Sequence, residues 1–338
     1  MVKRKKPVPL APPPAVMKSR KKARQVTSLF HKLTRQLDQA KARNDDTQVQ
    51  SLEKQIETMG GREEYQRASQ LSTKFHSTSK WVLGELGKRK WLHGIELEEE
   101  MSEEMKQRMD NGKGSKKRKG LKRAVDILEV GAINTELIDA GSKTKQVWLS
   151  AVGNPCDGGN VTTEKLPEYK TIPLYNLTVR AIDLKSSHAQ IEEQDFLTLP
   201  VEIDSDGCGP YDVIVCSMVL NCVTNAVDRG KMLSLLYRQL RQNGLCFLTL
   251  PRLCLSQSKF LNLNMFEDML KGVGFWLESK KESPKVAFWV LRRAHPSKNV
   301  KKKNLASTKS WNRLKIINAG KKFRNDFGVI LNDKNMEA

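Results

Sequence analysis

The chain has 338 residues, a formal net charge of +21 and 38% hydrophobic residues. Its length suits one domain of about 200 residues with extensions, or two smaller domains. No apolar run reaches the roughly 18 residues of a membrane span and no signal peptide is recognisable, so we expect no membrane segment. The six cysteines form no Cys-x-x-Cys pair and have no histidines at metal spacing. We therefore expect no metal site, and reduced thiols of a cytosolic or nuclear protein.

The positive charge is concentrated in three stretches. Residues 1–43 contain thirteen Lys or Arg against one acid, residues 113–123 contain seven against none, and residues 296–325 contain ten against none. The rest of the chain is therefore mildly acidic. Basic appendages around an acidic domain are typical of proteins that bind nucleic acid. Lysine clusters such as Lys3–Lys6 also serve as nuclear import signals or solvated tails, and this alternative stays open.

A glycine turn ends one of the apolar segments. The sequence predicts a buried strand over residues 125–130 that contains an acid, Glu129, and runs into Gly131. Glycine at such a turn lets the backbone pass close to a bound nucleoside. The second and third glycines of a dinucleotide turn are absent, because the sequence continues Ala-Ile-Asn. The turn therefore favours a nucleoside without a pyrophosphate.

Two acids downstream are suited to the same nucleoside. Leu177–Ile182 is a predicted strand, and Asp183 at its end can accept hydrogen bonds from two ribose hydroxyls. Asp195 is an acceptor for an exocyclic amine, and Phe196 offers a ring that can pack on a base. A strand-end aspartate also caps turns, and a phenylalanine is also a common core residue, so these alternatives stay open.

The spacing between the glycine and the first acid is unusually long. Gly131 and Asp183 are 52 residues apart, against roughly 20 in a dinucleotide-binding unit. We therefore predict an insertion over residues 142–176, with a turn-forming centre that is able to loop out. Alternatively, Val147–Val152 is itself the second strand of the sheet.

Two more apolar segments complete the predicted parallel core. The segment from Asp212 predicts a buried strand that opens into a loop with Ser217 and Asn221, as the wall of an active site would. Leu245–Pro251 predicts a fifth strand after Gly244, which we expect to end the preceding helix.

The arrangement after the fifth strand stays open on the sequence. A helix around Met265–Leu270, closed by Gly272 or Gly274, precedes possible antiparallel strands at 275–280 and 286–292. The apolar run Phe327–Leu331 is an equal candidate for the last strand.

In this order the segments resemble the class I S-adenosylmethionine-dependent methyltransferases. More closely, four runs resemble the fungal 25S ribosomal RNA adenine-N1 methyltransferases: Ile127–Gly131, Arg180–Leu184, Gln194–Phe196 and Ser217–Asn221. The resemblance extends over roughly residues 62–331, and it includes Tyr65–Ser69 and Arg324–Phe327.

The resemblance implies an α/β fold: a Rossmann-like class I methyltransferase sheet with an N-terminal helical extension and basic disordered arms. It implies S-adenosyl-L-methionine as the cofactor. Gly131 would allow close approach of the backbone to the cofactor and Asp183 would bind the ribose. Asp195 and Phe196 would hold the adenine ring, and Ser217 the methionine end.

The implied substrate is N1 of an adenine in large-subunit (25S) ribosomal RNA, free or within a pre-ribosomal particle, in the nucleus and nucleolus. Adenine N1 carries a lone pair, so the reaction needs no strong general base, and Asn221 is a weaker candidate for positioning the target base. The loop after the fourth strand lacks the Asn/Asp-Pro-Pro-aromatic motif of amino-directed enzymes. Covalent catalysis by a cysteine such as Cys222 stays open as a less favoured mechanism.

Two other functions stay open. The animal relatives of the family imply a non-catalytic S-adenosylmethionine sensor that acts through a protein partner. A ribosome-assembly scaffold that binds RNA without turnover is the second alternative. Three basic stretches favour RNA contact, because a sensor has no need of them.

The predicted organisation has five parts: a disordered, basic and Pro-rich arm (1–26), a helical N-terminal extension (27–110), a basic linker (111–123), a methyltransferase domain (124–331) with the insertion (142–176) and a basic stretch (296–325), and a tail (332–338). Within the extension, Thr27–Thr58 predicts a helical hairpin. We expect the second helical region, from Tyr65 to Leu92, to pack on the sheet near the mouth of the cofactor site.

Overall fold

The computed structural model describes residues 19–73, 78–96, 122–148, 169–186, 188–203, 207–293 and 311–332. It divides into two compact units, Met1–Ser77 and Thr78–Ala338. Most of the predicted arm and linker, the centre of the predicted insertion and the first part of the last basic stretch lie outside the described residues. In the part of the chain that the structure describes, no helix is both long and apolar enough to cross a membrane.

Where the structure describes it, the first unit contains the helices α1 (Arg20–Ala42), α2 (Asp46–Thr58) and α3 (Gly61–Thr73). Leu33 and Ala40 of α1 pack against Leu52 of α2, as the predicted hairpin requires. On α3, the Tyr65 ring stacks on Phe30 of α1 with centroids 4.6 Å apart.

The first helix begins earlier than the sequence predicts. Residues 20–26, which the sequence assigned to the disordered arm, belong to α1. The Ser19 hydroxyl caps this helix by accepting a hydrogen bond from the Lys22 N–H at 3.3 Å. A serine cap therefore outweighs the basic composition of the segment.

All the strands found in the described residues lie in the second unit. In chain order these are β1 (Ile95–Glu96), β2 (Lys122–Arg123), β3 (Val125–Val130), β4 (Thr144–Trp148), β5 (Tyr169–Pro173), β6 (Leu177–Asp183), β7 (Glu192–Glu193), β8 (Tyr211–Ser217), β9 (Leu240–Pro251), β10 (Phe275–Glu282) and β11 (Val286–Arg293). The helices in its described ranges are α4 (Thr78–Lys88), α5 (Glu136–Ser142), α6 (Ala226–Arg238), α7 (Leu253–Ser256) and α8 (Leu263–Val273). Short 3₁₀ turns lie at Trp91–His93 and Phe196–Thr198.

Seven strands form the central sheet in the order β7-β6-β3-β8-β9-β11-β10. The first five are parallel, and β11 and β10 form the predicted antiparallel pair at the edge. The parallel strands therefore follow the 3-2-1-4-5 order of a doubly wound sheet, with the reversal between β3 and β8. This order confirms the predicted α/β Rossmann-like fold.

Helices cover both faces of the sheet. On one face, residues such as Leu128 and Ile214 pack against α6 and α8. On the other face, Ile127 and Val215 pack against Val82 and Leu86 of α4. The predicted helical extension is therefore divided, because α4 belongs to the sheet unit and α3 to the first unit.

The insertion forms a separate ribbon. β4 and β5 pair with each other antiparallel, and Val147 lies opposite Lys170. The alternative that Val147–Val152 is the second strand of the sheet is therefore wrong. The position next to β3 is occupied by β6, whose end carries Asp183.

Two predictions near the end of the sheet need correction. Gly244 does not end a helix, because α6 ends at Arg238 and Gly244 lies within β9. The β8–β9 register shifts between Tyr211 and Val213, and Asn243 has φ +61°, which marks a bulge at this point. The run Phe327–Leu331 is not a strand but a buried irregular segment. The predicted close of α8 at Gly274 is confirmed, with φ +116°.

Candidate functional site

Three of the predicted site residues lie level with one another at the carboxyl ends of adjacent strands. Glu129 of β3 is in register with Ala181 of β6 and with Val215 of β8. Two residues farther along, these three strands lead to Gly131, Asp183 and Ser217. Residues in register on parallel strands point to the same face, and ligands bind where the strand order reverses. The fold therefore brings these residues together at the switch point of the sheet, which we call the candidate crevice.

Gly131 occupies a position that only glycine fits. Its φ is +70°, and a Cβ there would lie 2.4 Å from Cγ2 of Val219. The N–H groups of Gly131 and Ala132 both donate to the Ile182 carbonyl, at 2.8 and 3.0 Å. These hydrogen bonds fix the turn against β6. Because Gly131 has no side chain, the backbone of the turn stays accessible to a ligand.

The two predicted acids are both oriented by local hydrogen bonds. Asp183 Oδ1 accepts from the Lys185 N–H at 3.0 Å. Asp195 Oδ1 accepts from the Leu197 N–H at 2.9 Å and so caps the short turn that follows it. The turn-capping alternative for Asp183 is therefore realised, Asp195 caps a turn as well, and each carboxylate is oriented by its local hydrogen bond.

Phe196 is a core side chain. It is only 3% exposed and packs in the cluster that includes Val130 and Ile182. This cluster lies on the face opposite to Glu129, because side chains alternate along a strand. The stacking role that the sequence suggested for Phe196 stays a prediction.

Ser217 links α4 to the strand ends. Its hydroxyl lies 2.8 Å from Thr78 Oγ1 and 3.0 Å from Thr249 Oγ1. Thr78 is the first residue of α4, so this helix begins at the crevice. Only α4 of the predicted helical region is placed there, and both its position at the mouth of the cofactor site and the methionine-end role of Ser217 stay predictions.

The loop after β8 contains an exposed apolar side chain and an unpaired acceptor. Met218 adopts φ +60°, which is uncommon for a residue with a side chain, and is 38% exposed. Asn221 donates from Nδ2 to the Cys222 sulfur at 3.5 Å. Its Oδ1 is buried and has no hydrogen-bond partner among the described residues. Such an acceptor is costly unless a ligand completes it.

Glu129 is a candidate site residue to which no role was assigned from the sequence. Its Oε2 is buried and has no hydrogen-bond partner within the described part of the chain. Burial, with a smaller contribution from the nearby Glu136 carboxylate, raises the pKa of Glu129 to about 8. The only signal in the sequence is an acid within an apolar strand, two residues before the glycine. Because its pKa is raised, the carboxyl is protonated at neutral pH in the unliganded protein, and a cationic ligand at the switch point would favour its ionised form.

The raised pKa of Glu129 predicts a pH-dependent stability. The folded protein keeps this proton up to about pH 8, whereas the unfolded chain releases it near 4.5. The folded state then binds more protons between these values, so the free energy of unfolding falls as pH rises through that window. In Glu129→Gln this contribution is absent. Melting temperatures from pH 5 to 8 should therefore fall more steeply in the wild type, and parallel curves would contradict the assignment.

The Cys216 thiol, next to Ser217, is a poor nucleophile. Burial raises the pKa of the Cys216 thiol to about 12, and the Cys222 thiol donates to the Met218 carbonyl at 3.1 Å. Thiolate chemistry is therefore unfavourable at Cys216. In the described ranges no group of three or more His, Cys, Asp or Glu side chains is placed to hold a metal ion.

Comparison with solved structures returns methyltransferases at low similarity. The N-methyltransferase NodS from Bradyrhizobium japonicum WM9, solved with S-adenosyl-L-homocysteine, has 11% identity and a TM-score of 0.30, over 51% of this chain and 79% of that chain. A putative sarcosine dimethylglycine methyltransferase from Galdieria sulphuraria has 9% identity and a TM-score of 0.34, over 64% and 85%. The fold assignment rests on the strand order and not on these superpositions.

Sequence comparison is more specific. The Saccharomyces cerevisiae 25S rRNA (adenine(2142)-N(1))-methyltransferase is 25% identical over 173 residues, which cover 48% of this chain and 50% of that protein. The Schizosaccharomyces pombe 25S rRNA adenine-N(1) methyltransferase is 30% identical over 157 residues, which cover 45% and 52%. The chain thus spans about half the length of the curated relatives it matches.

A family model matches far more of the chain than either relative does. The model is described as 25S rRNA (adenine(2142)-N(1))-methyltransferase, Bmt2, and it matches residues 50–149 and 166–329. The match includes α4, every strand of the central sheet and the loop after β8. The chain therefore belongs to the Bmt2 family of 25S rRNA (adenine-N1)-methyltransferases.

Proposed function

We propose that this protein is an S-adenosylmethionine-dependent methyltransferase that methylates N1 of an adenine in large-subunit ribosomal RNA. The observation that carries the proposal is the assembled crevice at the end of β3, with Glu129, Gly131 and Asp183 on one side and the loop of Asn221 on the other. Membership of the family supports this reaction and this class of substrate.

The residues of the crevice fit S-adenosylmethionine. This cofactor carries an ammonium group and a sulfonium, and the buried Glu129 Oε2 is an acceptor without a partner among the described residues. Asp183 ends the strand next to Gly131, where a carboxylate can bind a ribose diol. The single glycine turn is sufficient because the cofactor has no pyrophosphate.

The reaction requires the protein mainly to position its two reactants. When bound, the cofactor supplies an electrophilic methyl group on its sulfonium. Adenine N1 presents its own lone pair, so no side chain has to remove a proton from it. The chain must instead align N1 with the methyl group, and such alignment can supply several kcal/mol of the barrier, up to about 7–11 kcal/mol. Because N1 lies on the Watson–Crick edge, the target adenine must be unpaired or extruded.

Asn221 is suited to hold the target adenine. Its Oδ1 is the buried acceptor of the loop after β8, and the exocyclic amine of adenine is a donor adjacent to N1. A hydrogen bond between them would fix the base in its plane. The side chain would then position the nucleophile and take no part in proton transfer.

The test is transfer of a labelled methyl group from S-adenosylmethionine to unmodified large-subunit ribosomal RNA. Asp183→Ala should weaken cofactor binding about tenfold to a hundredfold, because a carboxylate that accepts two hydroxyl hydrogen bonds is lost. Asn221→Ala should lower kcat by a similar factor with cofactor affinity unchanged, whereas Asn221→Asp, which retains an acceptor, should lose less. Equal turnover in the wild type and both alanine variants would contradict the proposed site.

The same experiment separates the alternatives. A sensor or a scaffold predicts cofactor or RNA binding without labelled product. A pre-ribosomal particle as the physiological substrate, and a nuclear and nucleolar location, are part of this proposal and are supported by the three basic stretches. Transfer to pre-ribosomes but not to free RNA would assign the particle as the substrate.

A further inference from the structure

The last described segment, residues 311–332, is folded onto the sheet unit although it contains no helix or strand. We call it the C-terminal strap. Trp311, Phe327 and Leu331 are buried, and the Leu331 N–H donates to the Trp311 carbonyl at 3.0 Å, which joins the two ends. A Cβ on Gly272 would lie 2.6 Å from the Trp311 ring, so the ring is seated directly on the α8 backbone. The strap is therefore a built part of the domain.

The strap is anchored at the carboxyl edge of the sheet. The Ser258 hydroxyl donates to the Phe327 carbonyl at 2.5 Å, and the Lys259 N–H donates to the Asn325 carbonyl at 3.0 Å. Ser258 and Lys259 follow α7, which leaves the carboxyl end of β9. This is the edge at which Thr249 contacts Ser217. The strap and the candidate site thus share one side of the molecule.

The outer surface of the strap is strongly cationic. Five exposed basic side chains lie along it: Arg313, Lys315, Lys321, Lys322 and Arg324. Within the described strap the acid is Asp326, which pairs with Lys259 at 2.9 Å. In the described ranges no carboxylate lies within ion-pair distance of the five cations. The strap therefore holds a positive charge that its own fold does not neutralise.

Apolar side chains are exposed beside these cations. Ile316 is 71% exposed and Ile317 is 41% exposed, and Leu253 of α7 is 53% exposed. The Leu253 carbonyl accepts from Asn325 Nδ2 at 3.3 Å, so this leucine adjoins the strap. Apolar side chains grouped with unpaired cations mark an interaction surface. An anionic polymer with apolar faces is a partner of matching chemistry.

We propose that the C-terminal strap is the surface that docks the RNA flanking the target adenine, with its cations on the phosphates and its apolar side chains against ribose and base. This inference rests on the proposed function for the identity of the RNA. Phosphate contacts fix position without reading sequence, which suits a surface beside a site that accepts an extruded base. An acidic protein would match the charge alone, and it is the competing outcome of the test.

The test compares two fourfold variants of the full chain. In the strap variant, Arg313, Lys315, Lys321 and Lys322 are changed to Gln. In the matched control, four exposed lysines elsewhere on the sheet unit, with no ion pair among the described residues, are changed to Gln: Lys90, Lys143, Lys145 and Lys281. Binding of a single-stranded RNA of about 20 nucleotides is measured as a function of salt, since each lost phosphate contact lowers the salt slope by about 0.7. Unchanged melting temperatures show that both variants fold.

The strap variant should bind the RNA at least tenfold more weakly than wild type at low salt, with a slope lower by about 2 to 3, while the control changes little. Its kcat on saturating ribosomal RNA should be retained. Equal loss in both variants, or none in the strap variant, would overturn the inference. The inference would also be overturned if the strap variant kept its RNA affinity but lost a protein partner whose binding to wild type survives nuclease treatment. If the wild type transfers no methyl group yet the strap variant alone loses RNA binding, the proposed function fails and the docking surface stands.

Discussion

Gly131→Ala is expected to remove measurable S-adenosylmethionine binding. The φ of +70° costs an alanine about 1–2 kcal/mol, and its Cβ would lie 2.4 Å from Val219 Cγ2. The turn must then move away from the Ile182 carbonyl, which receives hydrogen bonds from Gly131 and Ala132. Calorimetric titration with the cofactor measures the loss, and the melting temperature measures the accompanying strain.

A double variant separates the two roles of this glycine. In Gly131→Ala/Val219→Ala the clashing Cγ2 is absent, so the stability lost to the clash should return while the cost of the positive φ remains, and Val219→Ala alone is the control. Cofactor binding should stay absent, because the methyl group at residue 131 still covers the backbone of the turn. Recovery of wild-type affinity in the double variant would show that Gly131 serves packing against Val219 only.

Asp212→Ala is expected to cost about 3–5 kcal/mol of stability. The carboxylate is 4% exposed and contacts the guanidinium groups of Arg123 and Arg241, the latter at 2.9 Å. Its Oδ2 also accepts from the Asp126 N–H at 3.0 Å, which ties β8 to β3. Removal leaves two guanidinium groups and one backbone donor without this acceptor. The melting temperature should fall on the order of 10 °C.

An exposed ion pair on the same sheet provides the control. Glu192 pairs with Arg180 at 2.7 Å, with 47% and 40% of their side chains exposed. Glu192→Ala should cost less than about 1 kcal/mol, because water replaces the lost contact. Asp212 lies toward the amino end of β8, so the cofactor affinity of folded Asp212→Ala should match wild type. Similar melting temperatures for the two variants would contradict the assigned importance of the buried network.

The parallel sheet was predictable because its strands are short apolar runs that end in glycine or polar residues. Gly131, Asp183 and Ser217 were recognisable because each directly follows such a run, and the carboxyl ends of parallel strands lie together. The position of Asp183 next to Gly131 required the structure, since only the β3–β6 pairing excludes Val147–Val152 as the second strand.

Other features depend on contacts that no local pattern reports. Thr78 meets Ser217 across 139 residues of sequence, so its place at the crevice cannot be predicted from spacing. Glu129 was visible as an acid in an apolar strand, but its significance lies in the absence of a partner among the described residues. The C-terminal strap has a composition typical of a disordered tail. Its structure depends on individual long-range contacts with the rest of the domain, such as the hydrogen bond from Ser258 to the Phe327 carbonyl.

The proposed activity is tested most directly by identification of the methylated nucleoside. Purified wild-type protein and Asp183→Ala are incubated with labelled S-adenosylmethionine and unmodified large-subunit ribosomal RNA, and the RNA is then digested to nucleosides. We predict label in 1-methyladenosine with the wild type and a strongly reduced amount with the variant. Label in another nucleoside would contradict the N1 assignment, and cofactor binding without any labelled nucleoside, from free RNA or from pre-ribosomal particles, would contradict the enzyme.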